Sequence, residues 1–325
     1  MSDGLMKKIN VSIINYKTAE LTIQCLRSVV DDMEGINGHI SVVDNNSNDG
    51  SAEKIGEWIK TNKLRASITL VCSETNSGFS GGHNMGISTC PAEFYLVLNS
   101  DAVLRPGFFK AILATATANP NTGLFAPRLE DEDGTPQISC FRFHSPASEL
   151  IRGAGTGFIT SLLSRYNVPL CITPDPDKIE WASFACILLR HEMFDAIGPM
   201  DDGYFLYFED SEYCLRAYRA GWAIIFVPDA RAVHYRGGSA PVKALAKQNK
   251  RLPAYYYASR TRFFYQAYGW PGLILANLLW VTGRLVANLR RFVGKPVPMA
   301  KQNERHDIWR NTFDPLGSRN APRDL

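Results

Sequence analysis

Short apolar runs rich in β-branched residues recur through the first half of the chain, each followed by a stretch with helical spacing. Residues 11–15 read as a strand and 19–30 as a helix; 40–44 and 51–62 repeat the pair, the second helix opened by Ser51, which can cap it. A third strand is expected at 68–72, and a helix begins at 83–89 after a glycine-rich loop. Residues 94–98 are nearly all apolar, as in a strand covered on both faces. Pro106 suits the first turn of a helix ending near Asn119. Alternation of this kind predicts an α/β fold with a mixed, mostly parallel sheet and helices on both faces.

From about 130 to 180 the chain is rich in Gly, Pro, Asp and Ser and reads as an irregular insertion or a long loop region. Regular patterns return with a strand at 181–189, helices at 191–197 and 210–220, and a strand at 223–227. Beyond about 245 the character is helical and basic, and 295–325 is polar, Pro-bearing and expected to be loosely ordered. The predicted division is therefore a domain at 1–240 and a helical extension at 241–325.

Charge sharpens that division. Residues 1–240 hold 20 Lys+Arg against 28 Asp+Glu, a net of −8, whereas 241–325 hold 15 against 4, a net of +11. An acidic body with a basic tail points to an anionic surface as partner. Inside the extension, residues 270–283 are the most apolar stretch, about 14 residues against the roughly 20 needed to cross a bilayer, with Arg284, Arg290 and Arg291 directly after. An interfacial helix over 268–295 on anionic lipid is expected; a helix packed on the body of the chain is the other reading. Nucleic acid is not expected, because the aromatic residues of the tail cluster with apolar ones rather than along a basic groove. The first ten residues are polar, with neither signal peptide nor anchor pattern, and the seven cysteines lack metal spacing; both suit a reduced, cytoplasmic protein.

Four polar clusters come after predicted strands, where open α/β sheets bind ligands. Asp44, in Asp44-Asn45-Asn46-Ser47, can accept from a base N–H or a ribose hydroxyl, or belong to a turn. The loop Asn76-Ser77-Gly78-Phe79-Ser80-Gly81-Gly82 lets backbone approach a ligand, but it is neither a dinucleotide fingerprint nor a Walker loop. Asp101, in Asn99-Ser100-Asp101, can hold a divalent cation, Mg²⁺ or Mn²⁺, or serve as a cap at the start of the Pro106 helix region. Glu209 and Asp210 come after an aromatic run and can act as acid or base, or simply complement a helix dipole; His234 can be a metal ligand or structural.

Taken in order, Val11-Ser12-Ile13-Ile14-Asn15-Tyr16, Val43-Asp44-Asn45-Asn46-Ser47, Asn76-x-Gly78-Phe79 with Asn84-x-Gly86, Leu98-Asn99-Ser100-Asp101, Trp181 to Arg190, Phe208-Glu209-Asp210 and Val233-His234 resemble family 2 glycosyltransferases, the inverting class with a GT-A fold, in its bacterial rhamnosyltransferase-like branch. The resemblance covers about residues 9–270. It implies a nucleotide-sugar site including Asn15, Asp44, Asn76, Gly78, Phe79, Asn84, Asn99 and Ser100, a metal held by Asp101 and His234, and Asp210 as the base supported by Glu209. It places Trp181 on the acceptor side, and Phe184, where relatives carry glycine, as a bulky residue narrowing that pocket. Asn99 stands where the metal motif has its first carboxylate. The implied donor is dTDP-L-rhamnose, with UDP-galactofuranose or another UDP-hexose as alternative; the implied acceptor is a polyprenyl-linked saccharide in surface polysaccharide assembly. The implied location is the inner face of the cell membrane. A sugar-binding scaffold without turnover is the reading of another class, and joint presence of Asp101, Asp210 and His234 argues against it.

Overall fold

The computed structural model describes residues 6–235, 242–319 and 321. The first half alternates as its pattern predicts: β1 (Lys7–Asn15), α1 (Ala19–Asp32), β2 (Gly38–Asp44), α2 (Ser51–Thr61), β3 (Ile68–Cys72), α3 (Gly78–Ser88) and β4 (Ala92–Asn99). Then come β5 (Ala102–Leu104), α4 (Phe108–Ala118), β6 (Thr122–Glu130), β7 (Cys140–Phe141), α5 (Pro146–Ala154) and α6 (Gly157–Leu162). The remainder is β8 (Trp181–Ala182), β9 (Cys186–Arg190), α7 (His191–Ile197), α8 (Glu209–Arg219), β10 (Ala223–His234), α9 (Val242–Lys247), α10 (Ala254–Leu289) and α11 (Glu304–Asp307).

Among the described residues, eight strands form one sheet in the order β3-β2-β1-β4-β9-β6-β10-β5. The pairs β1–β2, β1–β4, β2–β3 and β6–β10 are parallel. β9 runs antiparallel between β4 and β6, and β5 runs antiparallel on β10. Period-two alternation makes both sheet faces apolar at β4. Phe94, Leu96 and Leu98 enter a core with the helices α1, α2 and α4, while Tyr95 and Val97 enter a second core with α7 and α8. On β1 the α3-facing side is polar instead. There Ser12 Oγ lies 2.9 Å from His83 Nδ1, and Asn10 Nδ2 donates to the Cys90 carbonyl at 3.0 Å, so buried polar groups find partners across the helix contact. Because β1 and β4 are sheet neighbours with β2 and β3 between them in the chain, strand order reverses at that pair. The crevice outside their carboxyl ends is the expected ligand position.

Several local expectations give way to longer-range contacts. The α3 helix starts at Gly78, not near His83, because the Phe79 N–H bonds the Phe205 carbonyl at 2.8 Å and fixes the loop early. The strand expected at 223–227 continues to His234, with a register shift between Val227 and Arg231, since β5 supplies a partner for its end. The strand expected at 181–189 is broken into β8 and β9. The stretch from 130 to 180 contains α5, started by a capping box in which Ser145 Oγ accepts from the Ser148 N–H and Pro146 occupies the first turn.

The extension packs on the body. α10 bends at Gly269 (φ 65°, ψ −169°), two residues before Pro271. Its first part packs on the aromatic run Tyr204 to Phe208. Its second part lies against α5 so closely that a Cβ at Gly283 would sit 2.6 Å from the Leu150 carbonyl oxygen. By length and composition α10 is also long and apolar enough to cross a membrane. The described part of the tail is less loose than its composition predicts: Ile308 is fully buried, and Thr261 Oγ1 donates to the Arg310 carbonyl at 2.8 Å.

Candidate active site

Asn15 and Asp44 end the neighbouring parallel strands β1 and β2, side by side at one rim of the crevice. Asn15 Nδ2 donates to Asp44 Oδ1 at 2.6 Å, and the same carboxylate accepts from Ser47 Oγ at 2.5 Å and from the Ser47 N–H at 3.1 Å. Asp44 is thereby held in one orientation by three donors. Asn45, next in the chain, clasps the glycine-rich loop. Its Nδ2 donates to Asn76 Oδ1 and the Gly78 carbonyl at 3.1 and 2.9 Å, and its Oδ1 accepts from the Ser77 N–H at 2.9 Å. Gly78 has φ 69°, and a Cβ there would meet the Phe205 carbonyl oxygen at 2.2 Å; only glycine fits both the dihedral and the approach.

The tip of β4 carries Asn99, Ser100 and Asp101. Asn99 is half-buried, and Ser100 Oγ lies 3.3 Å from Thr18 Oγ1. Asp101 is 2% exposed. His234 meets it because Ala102, the next residue, pairs with His234 across β5 and β10. The imidazole Nε2 lies 3.5 Å from Asp101 Oδ1, and the Tyr235 N–H bonds the Asp101 carbonyl at 3.0 Å. Among the described residues no group of three or more His, Cys, Asp and Glu side chains is arranged to hold a metal. One carboxylate with one imidazole nevertheless suits Mg²⁺ or Mn²⁺, which keep waters and substrate phosphates as their other ligands.

Glu209 and Asp210 open α8. They come directly after Tyr207 and Phe208, two consecutive non-glycine residues in the left-handed region, at φ 71° and 69°, a costly backbone held by the packing of the aromatic run on α10. The Asp210 carboxyl accepts from its own helix terminus, the Ser211 N–H at 2.8 Å, and from the Phe184 N–H. Burial pushes Asp210 up to about 6. Burial, and then the neighbouring Asp210 charge, raise Glu209 well above the carboxylate range; its Oε2 has no hydrogen-bond partner among the described residues.

Two backbone bonds connect these halves. The Asn99 N–H donates to the Ala185 carbonyl at 2.9 Å, and the neighbouring Phe184 N–H holds Asp210. The base candidate and the metal candidates therefore lie on adjoining backbone segments at one end of the sheet.

Three predicted positions have other work. Asn84 grips the Met200 backbone, with Nδ2 donating to its carbonyl at 2.7 Å and Oδ1 accepting from its N–H at 3.0 Å, so both amide groups are spent on the protein. Trp181 is 9% exposed, stacks on Phe141 at 4.2 Å, and donates its indole N–H to the Arg142 carbonyl. It is a packed wall, not an open platform. The Phe184 ring is buried against Tyr213 at 5.8 Å, turned into the core instead of narrowing a pocket. Phe79 is edge-on to the His83 ring at 4.4 Å. Asn45 and Ser47, read in the sequence only as neighbours of Asp44 in its motif, are site-forming residues; an Asn and a Ser directly after a strand-ending carboxylate signal such a hydrogen-bonded turn.

The profile of Glycosyl transferase family 2 matches residues 11–198. An N-acetylglucosaminyl-diphospho-decaprenol L-rhamnosyltransferase of Mycobacterium tuberculosis is 29% identical over 166 residues, 49% of this chain and 53% of that protein. A dTDP-rhamnosyl transferase of Shigella flexneri is 24% identical over 215 residues, 65% of this chain and 64% of that protein. The chain thus aligns with about half to two thirds of the length of these curated relatives. Among solved structures, the mannosyltransferase PcManGT from Pyrobaculum calidifontis, in complex with GDP-Man and Mn²⁺, superposes with a TM-score of 0.55 at 15% identity, covering 90% of this chain and 77% of that one. GalNAc-T7 with UDP, GalNAc and Mn²⁺ gives 0.60 at 13% identity, covering 96% and 55%.

Proposed function

The chain belongs to glycosyl transferase family 2 and has a GT-A-like fold, and from that premise we propose that it transfers a sugar, L-rhamnose from dTDP-L-rhamnose, to a polyprenyl-linked saccharide with inversion at the anomeric carbon. The observation that carries the reading is the meeting of Asp101 with His234 at the tip of the central strand, connected to the carboxyl of Asp210 through the Asn99–Ala185 and Phe184–Asp210 bonds. The donor sugar and lipid-linked acceptor rest on the similarity to the mycobacterial and Shigella rhamnosyltransferases.

Asp44, oriented by Asn15 and Ser47, binds the nucleoside end, and the loop clasped by Asn45 closes over it. Asp101 and His234 would hold the divalent ion, and such an ion would supply Lewis-acid stabilisation of the leaving diphosphate. Asp210 accepts the proton of the acceptor hydroxyl as its oxygen attacks the anomeric carbon opposite the diphosphate; attack from that face inverts the centre. A buried carboxylate with a raised pKa is a stronger base than a solvated one and suits this role. Glu209, kept protonated by burial beside Asp210, adds no second negative charge next to the base.

The acceptor's lipid places the protein at a membrane surface. The outer side of α10 presents Leu275, Leu278, Leu285 and Leu289, continued by Phe292 at 86% exposure; Phe158 of α6, at 77%, lies beyond Gly155, whose carbonyl Arg290 contacts. Its other side is committed to α5, so the helix lies on the membrane's inner face rather than through it.

Titration of the protein with dTDP and UDP, and transfer to a polyprenyl-diphosphate saccharide from the sugar nucleotides, tests the reading. Asp210→Asn is expected to bind nucleotide as the parent does and to lose transfer by a factor of about 10² or more. Undiminished turnover in that variant refutes Asp210 as base.

A further inference from the structure

The carboxyl-terminal segment crosses the body to the mouth of the crevice. After α11 it is pinned by buried Ile308, then by the Thr261 hydroxyl on the Arg310 carbonyl at 2.8 Å. Next, Arg262 Nη1 reaches the Gly317 carbonyl at 3.5 Å, while the same guanidinium grips Asp201 through Nε and Nη2 at 2.8 and 2.9 Å. Arg319 comes two residues later. Its Nη1 donates to the Ser77 carbonyl at 2.9 Å and to the Asp202 carbonyl at 3.3 Å.

Those two carbonyls belong to different walls of the crevice. Ser77 lies in the glycine-rich loop, directly before Gly78. Asp202 starts the segment that runs through the aromatic residues to Glu209 and Asp210. The walls touch elsewhere through Gly78, pressed on the Phe205 carbonyl, and through the Phe79 N–H bonded to it. The turn into α3 and its first helical turn, with glycines at 78, 81 and 82, lose much conformational freedom when they order, so contacts that hold them before ligand arrives strengthen binding by pre-organisation. One guanidinium bridging two carbonyls is such a contact.

From this geometry we infer that residues 308–319 are a strap across the site, and that Arg319 is a positioning residue holding residues 76–82, the turn into α3 and its first turn, in their nucleotide-binding conformation. The inference rests on the nucleotide-sugar reading of the site. It makes the far end of the chain part of donor binding, although the strap has no place in the motifs that identify the family.

Full-length Arg319→Ala and Arg319→Lys, compared with the parent, test it by amide hydrogen exchange over 77–80 and by calorimetric titration with UDP and dTDP. For Arg319→Ala, exchange at 77–80 and the nucleotide Kd should each rise about tenfold, with exchange in β1 and β4 unchanged. Arg319→Lys should recover most of both, because a single ammonium donor can reach either carbonyl. Unchanged loop exchange and affinity in Arg319→Ala overturn the inference alone. So does exchange accelerated through β1 and β4 as well, or equal damage in Arg319→Lys. Absence of nucleotide binding by the parent overturns the reading of the site, and the strap's role in donor binding with it.

Discussion

Asp210 owes its chemistry to its surroundings. An unperturbed aspartate carboxyl titrates near 3.9; burial beside the aromatic run moves this one to about 6, against the bonds from Ser211 and Phe184. Transfer should therefore climb with pH through about 6, as Asp210 loses its proton, and level off above; a rate profile flat from pH 5 to 8 contradicts the assignment. The effect on stability runs the other way. A carboxyl whose pKa is higher folded than unfolded binds protons more tightly in the folded state, so its stabilising contribution is complete below about 3.9 and is lost as pH rises through about 6. Removing the charge in Asp210→Asn should raise stability over the parent by roughly 1–3 kcal/mol above pH 7, the difference closing toward pH 4, as read by urea unfolding. His83 is buried under the glycine-rich loop, and burial lowers it to about 3, so it stays neutral and supplies no charge to a diphosphate.

At the level of elements, α5, α10 and α11 are joined by buried charge. Glu149 accepts from Arg152 and from Arg260, whose Nη2 lies 2.7 Å away. Arg260, 1% exposed, also bonds Asn277 at 2.7 Å, and Arg152 pairs with Glu304. The flanking arginines hold the Glu149 carboxyl down, at about 2, against its burial. Such a network adds modest stability as a whole, but loss of its central anion leaves Arg260 buried without compensation. Glu149→Ala should cost about 3–5 kcal/mol in chemical denaturation, and a loss below about 1 kcal/mol counts against the network as the clamp between these helices. The start of α5 was legible in Ser145-Pro146, a cap followed by proline at the first turn, although the Gly and Pro around it read as loop. The bend of α10 was legible too, in Gly269-Trp270-Pro271. The partners of Glu149 were not, because ion pairs between helices distant in sequence leave no periodic trace.

For the whole molecule, the division of charge, −8 over residues 1–240 and +11 over 241–325, combines with the exposed apolar side of α10. The full protein should sediment with vesicles of mixed neutral and anionic phospholipid, more weakly as salt rises. Leu285→Glu with Leu289→Glu should abolish sedimentation without moving nucleotide affinity, since both side chains are exposed on the outer side of α10. Retention of the double variant on vesicles would exclude this side of α10 as the contact.

Sequence alone determined the alternation of strand and helix from β1 to β4, the two-sided apolar core of β4, and the carboxylates that follow strands. Each is written in side-chain period or turn chemistry within a few residues. Tertiary structure alone decided that β10 runs on to bring His234 against Asp101, that Asn84 and Trp181 are spent on the protein's own backbone, and that Arg319 returns to Ser77. Those outcomes depend on which distant segments pair and in what register, and that is fixed by the burial of the whole chain rather than by any stretch of it.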